Sequence, residues 1–264
     1  MNSVRVKDEK STYAQKMCVG QTGKLMRQLA MLSPGAKVGV AVSGGVDSFV
    51  LLNVLRLRKR IVPFTFDFKA LHVNPGFDAA SHQPLVDWCL KKGVALHAES
   101  TEHGPRAHSP ENRKRSACFY CAMLRRTRLF ELCRHYGLTH LAMGHNADDL
   151  VVTFFMNLFQ NGRVQGLAAF EPYFGGTLHM IRPMLMVEKE HILRAARQWK
   201  LPLWSNPCPS AGTSRRADFS LWLKEMFARD KRFRANAFGA LTRWQIESGI
   251  VPAYPPVRKR NASE

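Results

Sequence analysis

The sequence lacks any long hydrophobic run. Its longest apolar stretch, residues 150–159, is interrupted by Thr153 and Asn157, whereas a membrane-spanning helix needs about 20 apolar residues. The first residues, MNSVRVKDEK, mix charges and contain no apolar segment of the kind found in a signal peptide. We therefore expect a soluble cytoplasmic protein with no membrane association.

Acidic residues are scarce. Twenty aspartates and glutamates stand against 39 lysines and arginines, a formal net charge of +19. An excess of this size favours a polyanionic partner, because Lys and Arg side chains bound to phosphates release condensed counterions. The basic residues cluster along the chain, which favours a nucleic acid over a small acidic substrate or a membrane. A basic solvated surface without such a partner is the alternative.

Several common motifs are also missing. The chain has neither a GxxxxGK[ST] loop nor a GxGxxG loop, and it has one CxxC motif rather than two. Without a secretion signal we expect its six cysteines to be reduced. Cys89 and Cys133 fall in helical patterns and are expected in the core. Cys118 and Cys121, which form the CxxC motif, and Cys208 need another explanation.

Strand and helix patterns alternate over much of the chain. Apolar strand patterns occur at 37–42, 64–73, 94–98, 139–144 and 180–182, and helical patterns at 47–58, 80–92, 119–136, 147–159 and 189–200. This alternation predicts an α/β fold with a doubly wound, mainly parallel sheet and helices on both faces. We expect a helical arm at 1–33, the α/β domain at 34–200 and a basic helical extension at 201–264.

The segment SGGVDS, residues 43–48, follows the first strand pattern and precedes the first helix. Gly44 and Gly45 let backbone N–H groups approach an anion, while Ser43 and Ser48 add hydroxyl donors at a helix N-terminus. Asp47 would repel a bare phosphate, so its presence implies a bridging metal ion, most readily Mg²⁺. The alternative is a helix-capping turn with Asp47 or Ser48 near the N-cap.

SGGxDS after an apolar strand resembles the PP-loop ATP pyrophosphatase superfamily, whose members split ATP between the α- and β-phosphates. The resemblance implies that the domain at 34–200 is a PP-loop domain. Three further elements fit it, namely HVN, GHNADD and IRP. They imply nucleotide contacts from His72, Val73, Asn74, Gly144, His145, Asp149 and Arg182.

GHNADD follows the fourth strand pattern, so its aspartates should lie at the same sheet edge as Asp47. Asp47 and Asp149 could then share a Mg²⁺ ion. For His145 and Asp148 the alternative is that they cap the helix that begins at Ala147.

The CxxC motif permits four interpretations: a thioredoxin-like redox pair, a structural zinc site, an iron–sulfur cluster, or chance packing. Zinc normally takes four protein ligands, whereas three cysteines suit a cluster with one open iron. A helix N-terminus and nearby arginines should favour the thiolate form of the pair. The sequence alone does not bring Cys208 to Cys118 and Cys121.

The order SGGVDS, HVN, CFYCAMLRRTRLFELCRHYGLTHLAMGHNADD, IRP and Cys208 resembles the tRNA 2-thiocytidine synthetase family over residues 30–225. The resemblance implies thiolation of cytidine 32 in the tRNA anticodon loop, with ATP, Mg²⁺ and a [4Fe–4S] cluster. It makes Asp47, Cys118, Cys121 and Cys208 the catalytic residues, with the three cysteines on the cluster. One departure is Ala211, where the family often has a second late cysteine.

The resemblance also implies a sulfur donor, such as a cysteine desulfurase, and it allows a homodimer. Two basic helical patterns, 119–136 and 215–234, are candidate RNA surfaces, whereas their aromatic residues are expected to pack in the core. The candidate RNA contacts are Arg125, Arg126, Arg215, Arg216, Lys231, Arg232 and Arg234. One alternative function is a PP-loop sulfurtransferase or amidotransferase acting on a different RNA base or a small metabolite. Another is a non-catalytic RNA-binding protein.

Overall fold

The computed structural model describes residues 11–78, 80–112, 116–204, 207–212 and 215–247, without the side chains at 231 and 245–247. Its strands are β1 Lys37–Ala41, β2 Asp67–Asn74, β3 Leu96–Ser100, β4 His140–Ala142, β5 Phe170–Tyr173 and β6 Leu178–Ile181. They form one sheet in the order β3-β2-β1-β4-β6-β5. All neighbours are parallel except β5 and β6.

Nine α-helices lie within the described residues. They are α1 Tyr13–Gln28, α2 Val46–Arg58, α3 Gln83–Lys92, α4 His103–Ala107, α5 Ala117–His135, α6 Ala147–Asn161, α7 Lys189–Gln198, α8 Arg215–Arg229 and α9 Lys231–Glu247. Helices α2 to α6 connect strands of the sheet. Among the described residues no helix is long and apolar enough to cross a membrane.

Each face of the sheet carries its own apolar cluster. Val38 and Val40 of β1 belong to a large cluster with residues of α1, α2, α6 and α7. Leu71 of β2 belongs to a smaller cluster on the opposite face, with Leu129 and Leu132 of α5. Alternate residues of a strand point to opposite faces, so helices cover both faces. The predicted doubly wound α/β fold is confirmed.

The sheet contains one strand more than the sequence patterns predict. β5 pairs antiparallel with β6 at the edge of the sheet. It contains Glu171 and Pro172 within four residues, so it shows no apolar strand pattern. A proline is tolerated there because an edge strand leaves one row of N–H groups unpaired. The short helix α4 was also absent from the sequence-based prediction.

Both ends of the described chain pack on the α/β core. Cys18 and Leu25 of α1 are buried in the large cluster, and α1 packs against α7. At the other end, α8 and α9 pack on α6 and bury Leu223 and Leu241. The boundaries after residues 33 and 200 stay a prediction. Residues 1–10 of the arm and 248–264 of the extension lie outside the described residues.

Candidate active site

The loop of residues 43–48 connects β1 to the N-terminus of α2. The N-cap of α2 is Gly45, and no side chain caps its first turn. The N–H groups of that turn are therefore open to an anion. Gly44 has φ +93°, in the left-handed region that favours glycine. The alternative that Asp47 or Ser48 caps the helix is wrong, because the N-cap residue has no side chain.

Two serine hydroxyls fix the shape of this loop. Ser48 Oγ donates to the carbonyl oxygen of Gly45 at 2.9 Å and accepts from the backbone N–H of Ser43 at 3.1 Å. Ser43 Oγ lies 3.2 Å from Ser48 Oγ. Both hydroxyls therefore lie beside the first turn of α2, where they can also contact a bound anion.

Close approaches on two sides hold the loop in place. Gly144 lies against the start of α2, where an added Cβ would be 2.8 Å from the amide nitrogen of Ser48. The indole ring of Trp204 covers Gly44, where an added Cβ would be 2.4 Å from a ring carbon. Any side chain at either glycine would displace its neighbour, which explains why glycine occupies both positions.

A cavity of about 330 Å³ opens beside the loop at the carboxyl edge of the sheet. The ends of β1, β2 and β4 form its floor, and α5 forms one wall. Among the predicted nucleotide contacts, it is lined by Ser43, Gly45, Asp47, Ser48, Val73, Gly144, His145 and Asp149. One predicted RNA contact, Arg125, also lines it.

Three of the predicted nucleotide contacts have their side chains engaged elsewhere. His72 is buried with Nδ1 2.8 Å from the carbonyl oxygen of Val42, and burial lowers its pKa to about 4. The Asn74 amide donates to the carbonyl oxygen of Asp78 at 2.8 Å. Arg182 is buried and pairs with Glu171 at 2.7 Å. None of the three lines the cavity, although their backbone segments end at its edge.

Asp47 and Asp149 lie on either side of Asn146. The Asn146 amide donates to Asp47 Oδ1 at 3.0 Å, and its backbone N–H donates to Asp149 Oδ2 at 3.0 Å. Each remaining oxygen pairs with a cation: Asp47 Oδ2 with Lys189 Nζ at 2.5 Å, and Asp149 Oδ1 with Arg216 at 2.6 Å. All four carboxylate oxygens therefore accept hydrogen bonds from protein groups.

These contacts decide how the two carboxylates fit a metal ion. Within the described parts of the chain, no three His, Cys, Asp or Glu side chains converge to hold a metal ion. The oxygen chemistry suits Mg²⁺, but one oxygen of each carboxylate is paired with Lys189 or Arg216. A magnesium ion held by both carboxylates would therefore displace these two side chains.

Helix α6 is capped by Asn146, whose side chain accepts from the backbone N–H groups of Asp148 and Asp149 in a capping box. The alternative that His145 or Asp148 caps this helix is therefore wrong. Asp148 instead accepts from the backbone N–H of Lys189 at 2.9 Å, at the start of α7. His145 faces the cavity, and burial lowers its pKa to about 4.

The two cysteines of the CxxC motif lie in the first turns of α5. Cys118 Sγ lies 3.9 Å from the carbonyl oxygen of Ser210, so the segment that carries Cys208 reaches the start of this helix. Burial raises the pKa of the Cys121 thiol, and the charges of Cys208 and Cys118 add to that rise. The segment that carries Cys208 therefore lies near the CxxC motif.

The donor set at this position suits a sulfur-ligated group. Two thiols lie in the first turns of α5 and the third lies on the neighbouring segment, but within the described residues no three His, Cys, Asp or Glu side chains are close enough to hold a metal ion. Three cysteines are the number that suits a cluster with one open iron, whereas structural zinc normally takes four protein ligands. The remaining cysteines, Cys18, Cys89 and Cys133, are buried elsewhere.

The expectation of thiolate character is not met at Cys121. Burial raises the pKa of its thiol above the usual range, and the positive charge of Arg125 only partly opposes this effect. Helix position and a neighbouring arginine therefore do not by themselves activate this cysteine, because the side chain is half-buried.

A family model described as a PP-loop domain matches residues 18–210. The tRNA-cytidine(32) 2-sulfurtransferase of Burkholderia lata is 30% identical over 260 residues, covering 94% of this chain and 75% of that protein. The corresponding protein of Geobacter sulfurreducens is 30% identical over 192 residues, covering 73% and 75%. The chain belongs to the tRNA 2-thiocytidine synthetase family of PP-loop proteins. Membership makes it a sulfurtransferase enzyme, and the PP-loop domain implies use of ATP.

A solved structure shares the fold of this family member. The U34-tRNA thiolase NcsA from Methanococcus maripaludis, determined with its [4Fe-4S] cluster, superposes with a TM-score of 0.71 at 21% identity. The match covers 91% of this chain and 86% of that one.

The predicted RNA contacts of this sulfurtransferase divide into two groups. Arg126, Arg215 and Arg232 are exposed, the last beside Asp230. Arg216 and Arg234 are half-buried and pair with Asp149 and Asp148, at 2.6 and 3.1 Å. These pairs attach α8 and α9 to the GHNADD segment. The side chain of Lys231 lies outside the described residues.

Sequence reasoning missed three residues at the site. Lys189 pairs with Asp47 across 142 positions of the chain, and no local pattern announces such a contact. Trp204, which packs on Gly44 of the loop, lies after the predicted α/β domain in the sequence. Asn146 had a local signal, because Asn followed three residues later by an acidic residue is typical of a helix start.

Proposed function

We propose that the chain thiolates a cytidine of tRNA in an ATP-dependent reaction, at position 32 of the anticodon loop. The observation that carries the proposal is that α5 bears both the CxxC motif and a residue of the nucleotide cavity. Its first turns bear Cys118 and Cys121, and one turn later Arg125 lines the cavity beside the phosphate loop. The curated relatives named tRNA-cytidine(32) 2-sulfurtransferase support the substrate.

The first step is adenylation of the base. ATP would lie in the cavity with its phosphates at the first turn of α2, beside Ser43 and Ser48. The cytosine O2 attacks the α-phosphorus, a P–O2 bond forms, and the bond to pyrophosphate breaks. The open N–H groups of α2 stabilise the negative charge that develops on the phosphates.

The second step replaces oxygen by sulfur. A sulfide ion attacks C2, the C2–O2 bond breaks, and AMP leaves. If the donor is a cysteine desulfurase, its persulfide sulfur is first reduced to sulfide by two thiols, which are oxidised to a disulfide. Cys118, Cys121 and Cys208 would hold a [4Fe–4S] cluster. When bound, such a cluster supplies a coordination site for sulfur. Because α5 is continuous, Cys118 and Cys121 are held at a fixed distance from the nucleotide cavity.

The proposal includes a magnesium ion only if Asp47 and Asp149 exchange their present ion-pair partners for it. Asp47 and Asp149 would hold Mg²⁺ after Lys189 and Arg216 released their carboxylates. Charge is conserved in such an exchange, since each carboxylate trades one cation for another.

The exposed arginines Arg126, Arg215 and Arg232 would contact the RNA backbone. They lie on α5, α8 and α9, so the RNA would contact both the α/β domain and the helical extension. The target base must leave its stack to enter the cavity, as single-stranded loop recognition commonly requires. A homodimer, with two such surfaces, is part of the proposal.

Pyrophosphate release in the presence and absence of tRNA tests the function. We expect release only when ATP and tRNA are both present. Release without tRNA would indicate a small-molecule substrate, and no release under any condition would indicate a non-catalytic RNA-binding protein.

Anaerobic purification tests the cluster. We expect visible absorption and bound iron in the wild type and in Cys133→Ala, a matched control on the same helix. Cys118→Ala should lose both signals. A colourless, zinc-containing wild type would contradict the cluster.

A further inference from the structure

Arg125 is a half-buried cation that forms no ion pair with a carboxylate of the described residues. Its Nε is buried without a hydrogen-bond partner among the described residues. A buried N–H group in that state is costly, because it has lost water without gaining an acceptor. The Nε of Arg182 is also unpartnered, but the Arg182 guanidinium pairs with Glu171, whereas no such ion pair is formed by Arg125 among the described residues.

The position of Arg125 on α5 explains where its side chain lies. Cys118, Cys121, Arg125 and Leu129 are spaced by three, four and four residues, which places them on one face of the helix. Leu129 and Arg125 both line the nucleotide cavity. Arg125 therefore lies between the cysteines and the phosphate loop, about 6 Å along the helix axis from Cys121.

The charges around the cavity leave room for an anion. Of the charged residues that line it, Asp47 and Asp149 are already paired with Lys189 and Arg216. Arg125 is the lining residue whose charge has no carboxylate partner within the described chain. Burial lowers the pKa of Arg125, and among the described residues the Cys121 thiol partly opposes that effect. The missing partner is thus a group that enters the cavity from solution.

We propose that Arg125 is a catalytic residue that binds the α-phosphate of ATP, and afterwards of the adenylate, on the side facing the cysteines. This assignment rests on the proposed function for the identity of the nucleotide, and it replaces the RNA-backbone contact expected from sequence. The guanidinium neutralises charge on the phosphoryl group as the cytosine oxygen attacks it. It also fixes the AMP leaving group while sulfur approaches C2 from the cysteine side.

Nucleotide binding by the full-length protein tests this assignment without tRNA or sulfur. Calorimetric titrations with α,β-methylene-ATP, AMP and adenosine would compare the wild type with Arg125→Met, Arg125→Lys and the control Arg134→Met, an exposed arginine on the same helix. We expect Arg125→Met to weaken the binding of α,β-methylene-ATP and of AMP about 10- to 100-fold, and to leave the affinity for adenosine within about twofold of the wild type. Arg125→Lys should recover part of the loss, and Arg134→Met should match the wild type.

Unchanged AMP affinity in Arg125→Met would overturn the assignment. So would a loss confined to tRNA affinity, since the anion would then be an RNA phosphate. Equal loss for adenosine would also overturn it, because it would show general damage to the cavity. If the wild type failed to thiolate tRNA but Arg125→Met still reduced the affinity for AMP, the proposed function would fail and the phosphate contact would stand.

Discussion

The contact between Gly144 and α2 gives the sharpest prediction from geometry. Gly144 is not among the glycines with positive φ, so alanine can adopt its backbone conformation without strain. An added Cβ would nevertheless lie 2.8 Å from the Ser48 nitrogen, 2.9 Å from its Cα and 3.0 Å from the Asp47 carbonyl carbon. All three are backbone atoms, so no side-chain rotation relieves the overlap.

The size of the effect follows from these distances. Ordinary contacts begin near 3.4 Å, so the start of α2 or the end of β4 must move by roughly half an ångström. Overpacking of this kind costs about 1–3 kcal/mol of stability. The displaced atoms include the N–H groups expected to bind phosphate, and misplacement on this scale lowers affinity or rate by up to about 100-fold. We therefore expect Gly144→Ala to weaken ATP binding by about 10- to 100-fold.

Urea denaturation and equilibrium ATP binding would measure both effects. Gly20→Ala is the control, because Gly20 is exposed on α1 and an added Cβ meets no atom within 4 Å. It should stabilise the protein by about 0.5–1 kcal/mol, as alanine does in a helix interior. A Gly144→Ala protein with wild-type stability and wild-type ATP affinity would refute the packing account of the loop.

Other predictions concern the cysteines, the aspartates and pH. Cys208→Ala should lose iron and visible absorption as Cys118→Ala does, and iron retained at the wild-type level would remove Cys208 from the ligand set. Arg216→Gln frees one oxygen of Asp149, so ATP binding should require about two- to tenfold less Mg²⁺, the range expected for the loss of one half-buried ion pair; a higher requirement would count against Asp149 as a ligand. His72 and His140 have their pKa lowered to about 4 by burial. The unfolded chain therefore binds more protons between pH 6.5 and 4. Urea denaturation should show that the free energy of unfolding falls as the pH is lowered from 6.5 to 4, by up to about 3 kcal/mol for each histidine. A flat profile would show that the two histidines are not buried as neutral groups.

The main elements of the fold were predictable because they repeat local patterns. Apolar runs such as residues 37–42 marked buried parallel strands, and helical patterns such as residues 47–58 marked the helices between them. β5 escaped because it is short and carries Pro172, and its pairing with β6 is set by tertiary structure. Local sequence signals do not encode such edge pairing.

The site was predictable where a motif lies at a strand end. SGGVDS and GHNADD converge because carboxyl ends of parallel strands meet at one edge. The side-chain directions within HVN were not predictable in the same way, since one residue of register decides whether Val73 or His72 faces the cavity. Contacts between distant segments, such as Asp47 with Lys189 and Asp149 with Arg216, depend on packing that no motif encodes.

The central claim is ATP-dependent thiolation of a tRNA cytidine. Its most direct test is nucleoside mass spectrometry of a tRNA transcript after anaerobic incubation with the protein, ATP and sulfide. The account predicts 2-thiocytidine that requires ATP, equals the AMP formed, and disappears from a transcript with uridine at position 32. Absence of any thiolated nucleoside in iron-loaded wild-type reactions, or thiolation that proceeds without ATP, would contradict it.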